Sequence, residues 1–133
     1  INPLMKNKKR VLVICAKGSN RSPYLAKYLR RKGYSTTHGG IEEHIEKPVM
    51  KYVTWKMVNW AEIIIIVKKR LKKIFDKKFK AEGKKIIILN VTDSKRLIPK
   101  KFADLKKLSH KEFQKKWTYP QLRKAIKPYL PLK

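Results

Sequence analysis

The sequence predicts an α/β fold, a three-layer sandwich in which a four-stranded parallel sheet carries helices on both faces. Three apolar, β-branched runs at residues 10–16, 62–67 and 84–91 predict strands that are buried on both faces. Segments with helical spacing of apolar residues separate these runs, an alternation typical of parallel sheets. The chain has 133 residues, which suits one domain with one core. We assign residues 5–133 to that domain and expect residues 1–4 to be a flexible end or a remnant of expression.

The remaining elements follow from local signals. Ser22-Pro23 starts a helix that Gly33 ends, because proline suits the first helical turn and glycine the position after the last. Residues 34–38 form the fourth strand, which Gly39-Gly40 closes. Helices are expected over 48–60 and 69–79, and residues 92–102 should be irregular. A last helix begins near Ser109 or at Tyr119-Pro120 and runs toward Pro128.

The composition is strongly basic, with 36 Lys and Arg against 9 Asp and Glu and a formal net charge of +27. This excess predicts polyanionic partners such as DNA or RNA, an anionic membrane or a phosphorylated protein. A single cysteine excludes an internal disulfide and indicates an intracellular, cytoplasmic protein, with the nucleus or a virus particle as other compartments. The longest apolar run, 61–67, is too short to span a bilayer. One cysteine and three scattered histidines give no zinc pattern.

The segment CAKGSNRS, residues 15–22, joins the first strand to the first helix. Gly18 permits positive φ, so the loop can curl and direct its N–H groups inward, and the helix N-terminus adds positive potential. Such a nest binds phosphate and favours the thiolate of Cys15. Arg21 can clamp two phosphoryl oxygens, and Ser22 can donate a hydrogen bond to the sulfur. Asp93 follows a strand as Cys15 does, so both should lie at one edge of the sheet. The predicted phosphate-binding residues are Ala16, Lys17, Gly18, Ser19, Asn20, Arg21 and Ser22.

The C-x5-R-S pattern, between a strand and a Ser-Pro helix start, resembles that of the low-molecular-weight protein tyrosine phosphatases. The stretches THGGI, PVMKYVTWKMVNWAEIIIIVKKRLKKIFDKKF and KKIIILNVTDSKRLIP extend the resemblance over about residues 9 to 107, and the last is similar to a small predicted-phosphatase branch. The resemblance implies that Cys15 attacks phosphorus, that Arg21 and the loop hold the phosphoryl oxygens, and that Asp93 is the general acid. It also implies that no metal or organic cofactor takes part.

Three positions depart from the family pattern. Lys17-Gly18 stands where the family has Gly-Asn, and Thr92-Asp93-Ser94 stands where it has Asp-Pro-Tyr. Lys68 replaces an acidic residue that is common after the third strand. The tyrosine that usually walls the slot for a phosphotyrosine ring is therefore missing beside Asp93.

The leading hypothesis is a cysteine-dependent phosphatase that hydrolyses a phosphotyrosine-like phosphomonoester through a phosphocysteine. The alternative is a catalytically weak or inactive protein of this fold that binds nucleic acid through its basic surface, in chromatin, ribonucleoprotein or a virus particle. An arsenate reductase of the thioredoxin-coupled type needs further cysteines, and the related sugar phosphotransferase subunits normally lack the arginine.

Other side chains receive structural interpretations. His38, His44 and His110 are expected at the surface or in turns. Trp55 and Trp60 fit a helical stripe and are expected in the core. Trp117 and Tyr119 should pack the tail against the sheet, although aromatic residues in a basic segment can also stack on bases. The basic stretches 68–73 and 100–107 should be solvated helix faces.

Overall fold

A computed structural model describes residues 9–42 and 51–132. Its sheet has four parallel strands, Arg10–Cys15 (β1), Ser35–Gly40 (β2), Ile63–Ile66 (β3) and Lys85–Ile88 (β4). The strand order is β2-β1-β3-β4. The predicted α/β fold with a four-stranded parallel sheet is therefore confirmed.

Five α-helices surround the sheet in the described ranges. They are Arg21–Arg31 (α1), Trp55–Trp60 (α2), Leu71–Lys78 (α3), His110–Phe113 (α4) and Tyr119–Ile126 (α5). A π-helical turn, Gln114–Thr118, joins α4 to α5. Short 3-10 segments lie at Lys95–Leu97, Lys100–Lys107 and Lys127–Tyr129.

The alternating residues of β1 divide the core into two layers. The helices α1 and α5 cover one side of the sheet. The layer on that side buries three residues of β1, Val11, Val13 and Cys15, together with Leu25, Leu29, Leu122 and Ile126. Leu12 and Ile14 face the side covered by α2 and α3, with Val58, Leu71 and Phe75. Because side chains alternate along a strand, a continuously apolar strand requires a helix layer on each face. The three-layer arrangement follows directly from this pattern.

The strand β4 differs from its prediction, the apolar run at residues 84–91. It spans Lys85–Ile88 and not 84–91, and Ile88 is 38% exposed. β4 is an edge strand, so the helix layers cover it less fully than β1 and β3. Beyond it, the N–H groups of Leu89 and Val91 still donate to the carbonyls of Ile66 and Val67. The chain thus stays extended as it approaches Asp93.

The helix predicted over 48–60 begins only at Trp55, and residues 43–50 lie outside the described ranges. Before it, the Gly40 N–H donates to the carbonyl of Lys51, and the Val53 N–H donates to the carbonyl of Gly40. These bonds hold the backbone extended, and Thr54 then caps the helix by accepting from the Met57 N–H. The prediction of a core Trp55 is wrong: the side chain is 48% exposed and contacts Phe79 edge-on.

Both start signals of the last helix are used, since one helical run includes them. Ser109 Oγ accepts from the Glu112 N–H at 3.2 Å, and Pro120 lies in the first turn of α5. Trp117, in the π-helical turn, is buried as predicted, but it packs beside Ile98 and Phe113 in a separate small cluster and not against the sheet. In the part of the chain that the structure describes, no helix has the length and apolar character needed to cross a membrane.

Candidate functional site

A cavity of about 370 Å³ opens at the carboxyl edge of the sheet, where β1 ends. The predicted residues that line it are Cys15, Ala16, Lys17, Ser19, Asn20, Arg21 and Asp93. The other two predicted loop residues, Gly18 and Ser22, are buried behind the cavity wall and contact the sulfur of Cys15. The topological argument therefore placed Cys15 and Asp93 together correctly.

The sulfur of Cys15 lies at the centre of the loop and forms two hydrogen bonds within it. The Gly18 N–H donates to Sγ at 3.1 Å, and Ser22 Oγ lies 3.1 Å from the same atom. The loop leads directly into α1, whose N-terminal end adds positive potential at the sulfur. Cys15 is only 3% exposed, so it reaches solvent through the cavity alone.

Gly18 takes the positive φ that the curled loop requires, at 73°. A Cβ atom there would lie 2.8 Å from the backbone nitrogen of Gly40 and 2.9 Å from the carbonyl oxygen of Lys51. Gly40, paired with Cys15 in the sheet, is equally confined, because its Cβ would lie 2.4 Å from the carbonyl carbon of Lys17. Gly39-Gly40 therefore belongs to β2 and does not close it, and Gly40 leaves room for the phosphate loop to cross.

Arg21 projects from the first turn of α1 and is 6% exposed. Its Nη1 donates to the carbonyl of Val91 at 2.8 Å, and its Nε lies 3.4 Å from Asp93 Oδ2. Nε is nevertheless buried without a hydrogen-bond partner among the described residues. An unsatisfied buried donor is costly, and it is one that a bound oxyanion would satisfy.

Asp93 is held by side chains from distant segments. Asn20 Nδ2 donates to Asp93 Oδ2 at 3.0 Å and to Gln114 Oε1 at 2.9 Å. The hydroxyl of Tyr119 donates to Asn20 Oδ1 at 2.8 Å, and Gln114 Nε2 donates to the Asp93 carbonyl at 3.4 Å. All polar atoms of the Asn20 amide are thus engaged, and the π-helical turn supplies the buried Gln114 that completes the network. Burial and the neighbouring Tyr24 and Asp93 raise the pKa of Tyr119.

The rim of the cavity is electrostatically positive. Arg70 forms two hydrogen bonds with the carboxylate of Glu42, and Lys17 Nζ donates to the Glu42 carbonyl at 3.2 Å. The hydrogen bond from Arg70 lowers the pKa of Glu42 and raises that of Arg70. Burial, together with the charges of Arg21 and Arg70, lowers the pKa of the nearby Lys68. The cations exceed the acids, which favours an anionic ligand.

Sequence reasoning missed five residues of this region. Arg70 and Arg96 follow β3 and β4, so the carboxyl-edge rule that located Cys15 and Asp93 could have found them. Glu42 follows β2 in the same way. Gln114 and Tyr119 reach the site from the C-terminal helical run, and no local signal marks them.

Of the two histidines in the described ranges, neither His38 nor His110 lines this cavity. His38 lies half-buried in β2, and burial, Lys51 and Arg30 lower its pKa. His110 begins α4 and is exposed, and His44 lies outside the described residues. Within residues 9–42 and 51–132, no group of three or more His, Cys, Asp or Glu side chains is placed to hold a metal ion.

Comparison with solved structures identifies the fold. The tyrosine phosphatase AmsI of Erwinia amylovora superposes with a TM-score of 0.63 at 13% identity, covering 92% of this chain and 91% of its own. The tyrosine phosphatase Wzb of Escherichia coli K30, solved with phosphate, gives 0.62 at 14% identity, with 96% and 94% covered. The low-molecular-weight protein tyrosine phosphatase of Streptococcus pyogenes gives 0.60 at 14% identity, with 92% and 91% covered.

The sequence comparisons give no match, either to a family model or to a curated protein. The structural relatives are phosphatases and cover more than nine-tenths of this chain. The order of the strands and the position of the loop after β1 complete the identification: this chain has the fold of the low-molecular-weight protein tyrosine phosphatases.

Proposed function

We propose that the protein is a cysteine-dependent phosphatase that hydrolyses a phosphomonoester through a phosphocysteine intermediate. One observation carries the proposal. At one small cavity, the Gly18 N–H donates to Cys15 Sγ at 3.1 Å, Ser22 Oγ lies 3.1 Å from the same sulfur, and the buried Nε of Arg21 has no hydrogen-bond partner among the described residues. A nucleophile and an unsatisfied cationic donor at one cavity are what transfer of a phosphoryl dianion requires.

In the first step, the thiolate of Cys15 attacks phosphorus, and the bond from phosphorus to the leaving oxygen breaks. Arg21 and the loop N–H groups of residues 16–22 hold the equatorial oxygens. Asp93 donates its proton to the leaving oxygen, which departs as an alcohol. The network of Asn20 and Gln114 keeps Asp93 beside the cavity for this transfer.

In the second step, water attacks the phosphocysteine while Asp93 accepts its proton. The bond from sulfur to phosphorus breaks, inorganic phosphate leaves, and the Ser22 hydroxyl donates to the departing thiolate. The cycle restores Cys15 and consumes only water. Because it needs a reduced thiol, we place the protein in a reducing intracellular compartment.

The test is hydrolysis of p-nitrophenyl phosphate between about pH 4 and 8, for the wild type beside Cys15→Ser. Serine keeps the shape of the loop but lacks the thiolate, so we expect activity to fall by about 10³-fold or more. Activity that survives this substitution contradicts the proposal.

Asp93→Asn tests the acid. We expect kcat for p-nitrophenyl phosphate to fall by about 10²-fold. Asp104→Asn is the matched control, because Asp104 is exposed and its side chain pairs only loosely with Lys107, at 3.8 Å. Equal effects of the two substitutions would remove Asp93 from the mechanism.

A further inference from the structure

A line of side chains leads away from the candidate site along α1. Four residues at spacings of three or four positions share one face of the helix: Arg21, Tyr24, Tyr28 and Lys32. Arg21 begins this line in the cavity, and Lys32, the C-cap residue, ends it with its ammonium 5.0 Å from the ring of Tyr28. α1 has 11 residues, so the line is about 16 Å long.

The C-terminal helical run lies beside this line and adds charge to it. The rings of Tyr119 and Tyr24 stack with centroids 4.0 Å apart, and Arg123 Nη1 donates to the Tyr24 hydroxyl at 2.6 Å. Farther along, a groove of about 640 Å³ opens between the two helices. We call this surface the basic track: Lys32, Arg123, Lys124 and Lys127, with Tyr24 and Tyr28.

A second cavity, of about 570 Å³, connects the track to the candidate site. It shares Ser19, Asn20 and Asp93 with the first cavity, and Tyr119 forms its border toward the track. Exposed Lys111 and Lys115 line its outer side. α1 contains no acidic residue, and Glu112 is the only acid between residues 108 and 132. Positive charge therefore continues from the phosphate loop to the far end of α1.

We propose that the phosphomonoester is the terminal phosphate of a single-stranded nucleic acid whose backbone lies along the basic track, an inference that rests on the proposed function. Hydrolysis would release inorganic phosphate and leave a hydroxyl at that end of the strand. The walls of the cavity support this substrate class, because the described residues that line it include Lys17, Arg70 and Arg96 and no aromatic ring. A phosphodiester chain carries one charge per nucleotide, which matches cations placed at intervals along a helix.

The geometry favours a nucleic acid over an acidic phosphopeptide. The track consists of exposed lysines and arginines on helix surfaces, and its tyrosines pack against one another and against Lys32. Such a surface contacts backbone charge and does not read side chains or bases. At about 3.4 Å per phosphate in a stacked strand, 16 Å accommodates roughly five nucleotides. We expect affinity to rise up to about that length and then to level off.

The experiment measures binding by the full-length Cys15→Ser protein, so that turnover does not enter. Fluorescent single strands of two, five and ten nucleotides, as DNA and as RNA, carry a phosphate at the 5′ end, at the 3′ end or at neither. The track variant Lys32→Gln, Lys124→Gln, Lys127→Gln should weaken binding of the ten-nucleotide strand at least tenfold. It should also make the log–log salt slope shallower by about 2, that is, 0.7 for each of three phosphate contacts.

The matched control is Lys73→Gln, Lys77→Gln, Lys80→Gln, which removes the same charge from exposed residues of α3 and the segment after it. The apolar side of α3 packs in the core layer on the opposite face of the sheet from α1. Support requires a wild-type-like control, a tighter complex for phosphorylated than for unphosphorylated strands, and a gain with length. Equal weakening by both triple variants, no dependence on the terminal phosphate, or equal competition by polyglutamate of the same charge overturns the inference.

Hydrolysis of p-nitrophenyl phosphate tests the proposed function separately from the substrate class. If the wild type does not hydrolyse this probe, the phosphatase proposal is lost whatever the strands bind. If it does, and the binding arms give any of the negative results above, the substrate class alone is wrong.

Discussion

The phosphate loop, residues 15–22, and the acid segment, residues 89–107, meet at one cavity but are held in different ways. The loop is fixed by bonds between near neighbours, since Gly18 and Ser22 contact the sulfur only three and seven positions after Cys15. Asp93 is fixed by Asn20, 73 positions before it, which itself bonds to Gln114, 94 positions after Asn20. The nucleophile thus depends on local sequence, whereas the placement of the acid depends on tertiary structure.

The largest expected effect comes from Arg21→Lys, which tests the residue that joins the two regions. Lysine keeps a positive charge but loses the planar fork and the bond to the Val91 carbonyl. We expect kcat/KM for p-nitrophenyl phosphate to fall by about 10³-fold, measured by steady-state kinetics. Arg123→Lys, a cation outside the cavity, is the control and should retain activity toward this small probe within about threefold. An Arg21→Lys enzyme as active as the control would show that charge alone suffices.

Gly18→Ala should break the loop and leave the acid segment intact. Positive φ disfavours alanine, and its Cβ would also clash with backbone atoms of Gly40 and Lys51. We expect the free energy of unfolding to fall by about 3 kcal/mol, measured by urea denaturation.

Gly83→Ala isolates the steric part of that effect. Gly83 has φ of 79°, close to that of Gly18, but among the described residues only Gly83 itself and its two chain neighbours have atoms within 4 Å of a Cβ built there. We therefore expect a cost of about 1 kcal/mol from backbone conformation alone. Equal costs at the two glycines would mean that the loop can yield to the extra methyl group.

Gln114→Ala should affect the acid segment and spare the loop. It removes the acceptor for Asn20 and the donor to the Asp93 carbonyl, so Asp93 loses its alignment. We expect kcat to fall about tenfold with KM nearly unchanged, measured by steady-state kinetics with p-nitrophenyl phosphate. The control is Gln121→Ala, because Gln121 lies in α5 and lines neither of the two cavities that share Asp93. A loss in KM alone would point to substrate binding and not to alignment of the acid.

The smallest effect concerns Glu42 at the rim of the loop, where its N–H donates to the carbonyl of Ala16. The hydrogen bond from Arg70 lowers the pKa of Glu42. The pair therefore stabilises the fold fully at pH values above the ordinary glutamate pKa. This stabilisation is lost as the pH falls through the lowered pKa of Glu42 in the folded protein. We expect Glu42→Gln to cost about 0.5 kcal/mol near neutral pH, because the pair is partly exposed, and nothing in acid. Urea denaturation at several pH values measures it, with the exposed Glu82→Gln as control. A difference that persists unchanged in acid would assign the effect to packing.

The sequence was most informative where burial and local geometry act together. The all-apolar runs of β1 and β3 predicted the sheet, and the spacing from Cys15 to Arg21 predicted the loop. The exposed Trp55 and the short β4 were mispredicted because apolar character does not reveal whether a neighbouring element covers a residue. Gln114 gave no signal because its role depends on a π-helical turn and on contacts with residues 20 and 93, which only the folded chain brings together.

The bonds of Asn20 have a consequence for how the molecule assembles. Asn20 to Tyr119 and Tyr24 to Arg123 each span 99 positions, and closing such long loops costs entropy before any contact repays it. A nascent chain can therefore form the sheet and curl the phosphate loop while the acid is still unplaced. Competence for turnover should be the last property acquired during refolding, after the sheet has already formed.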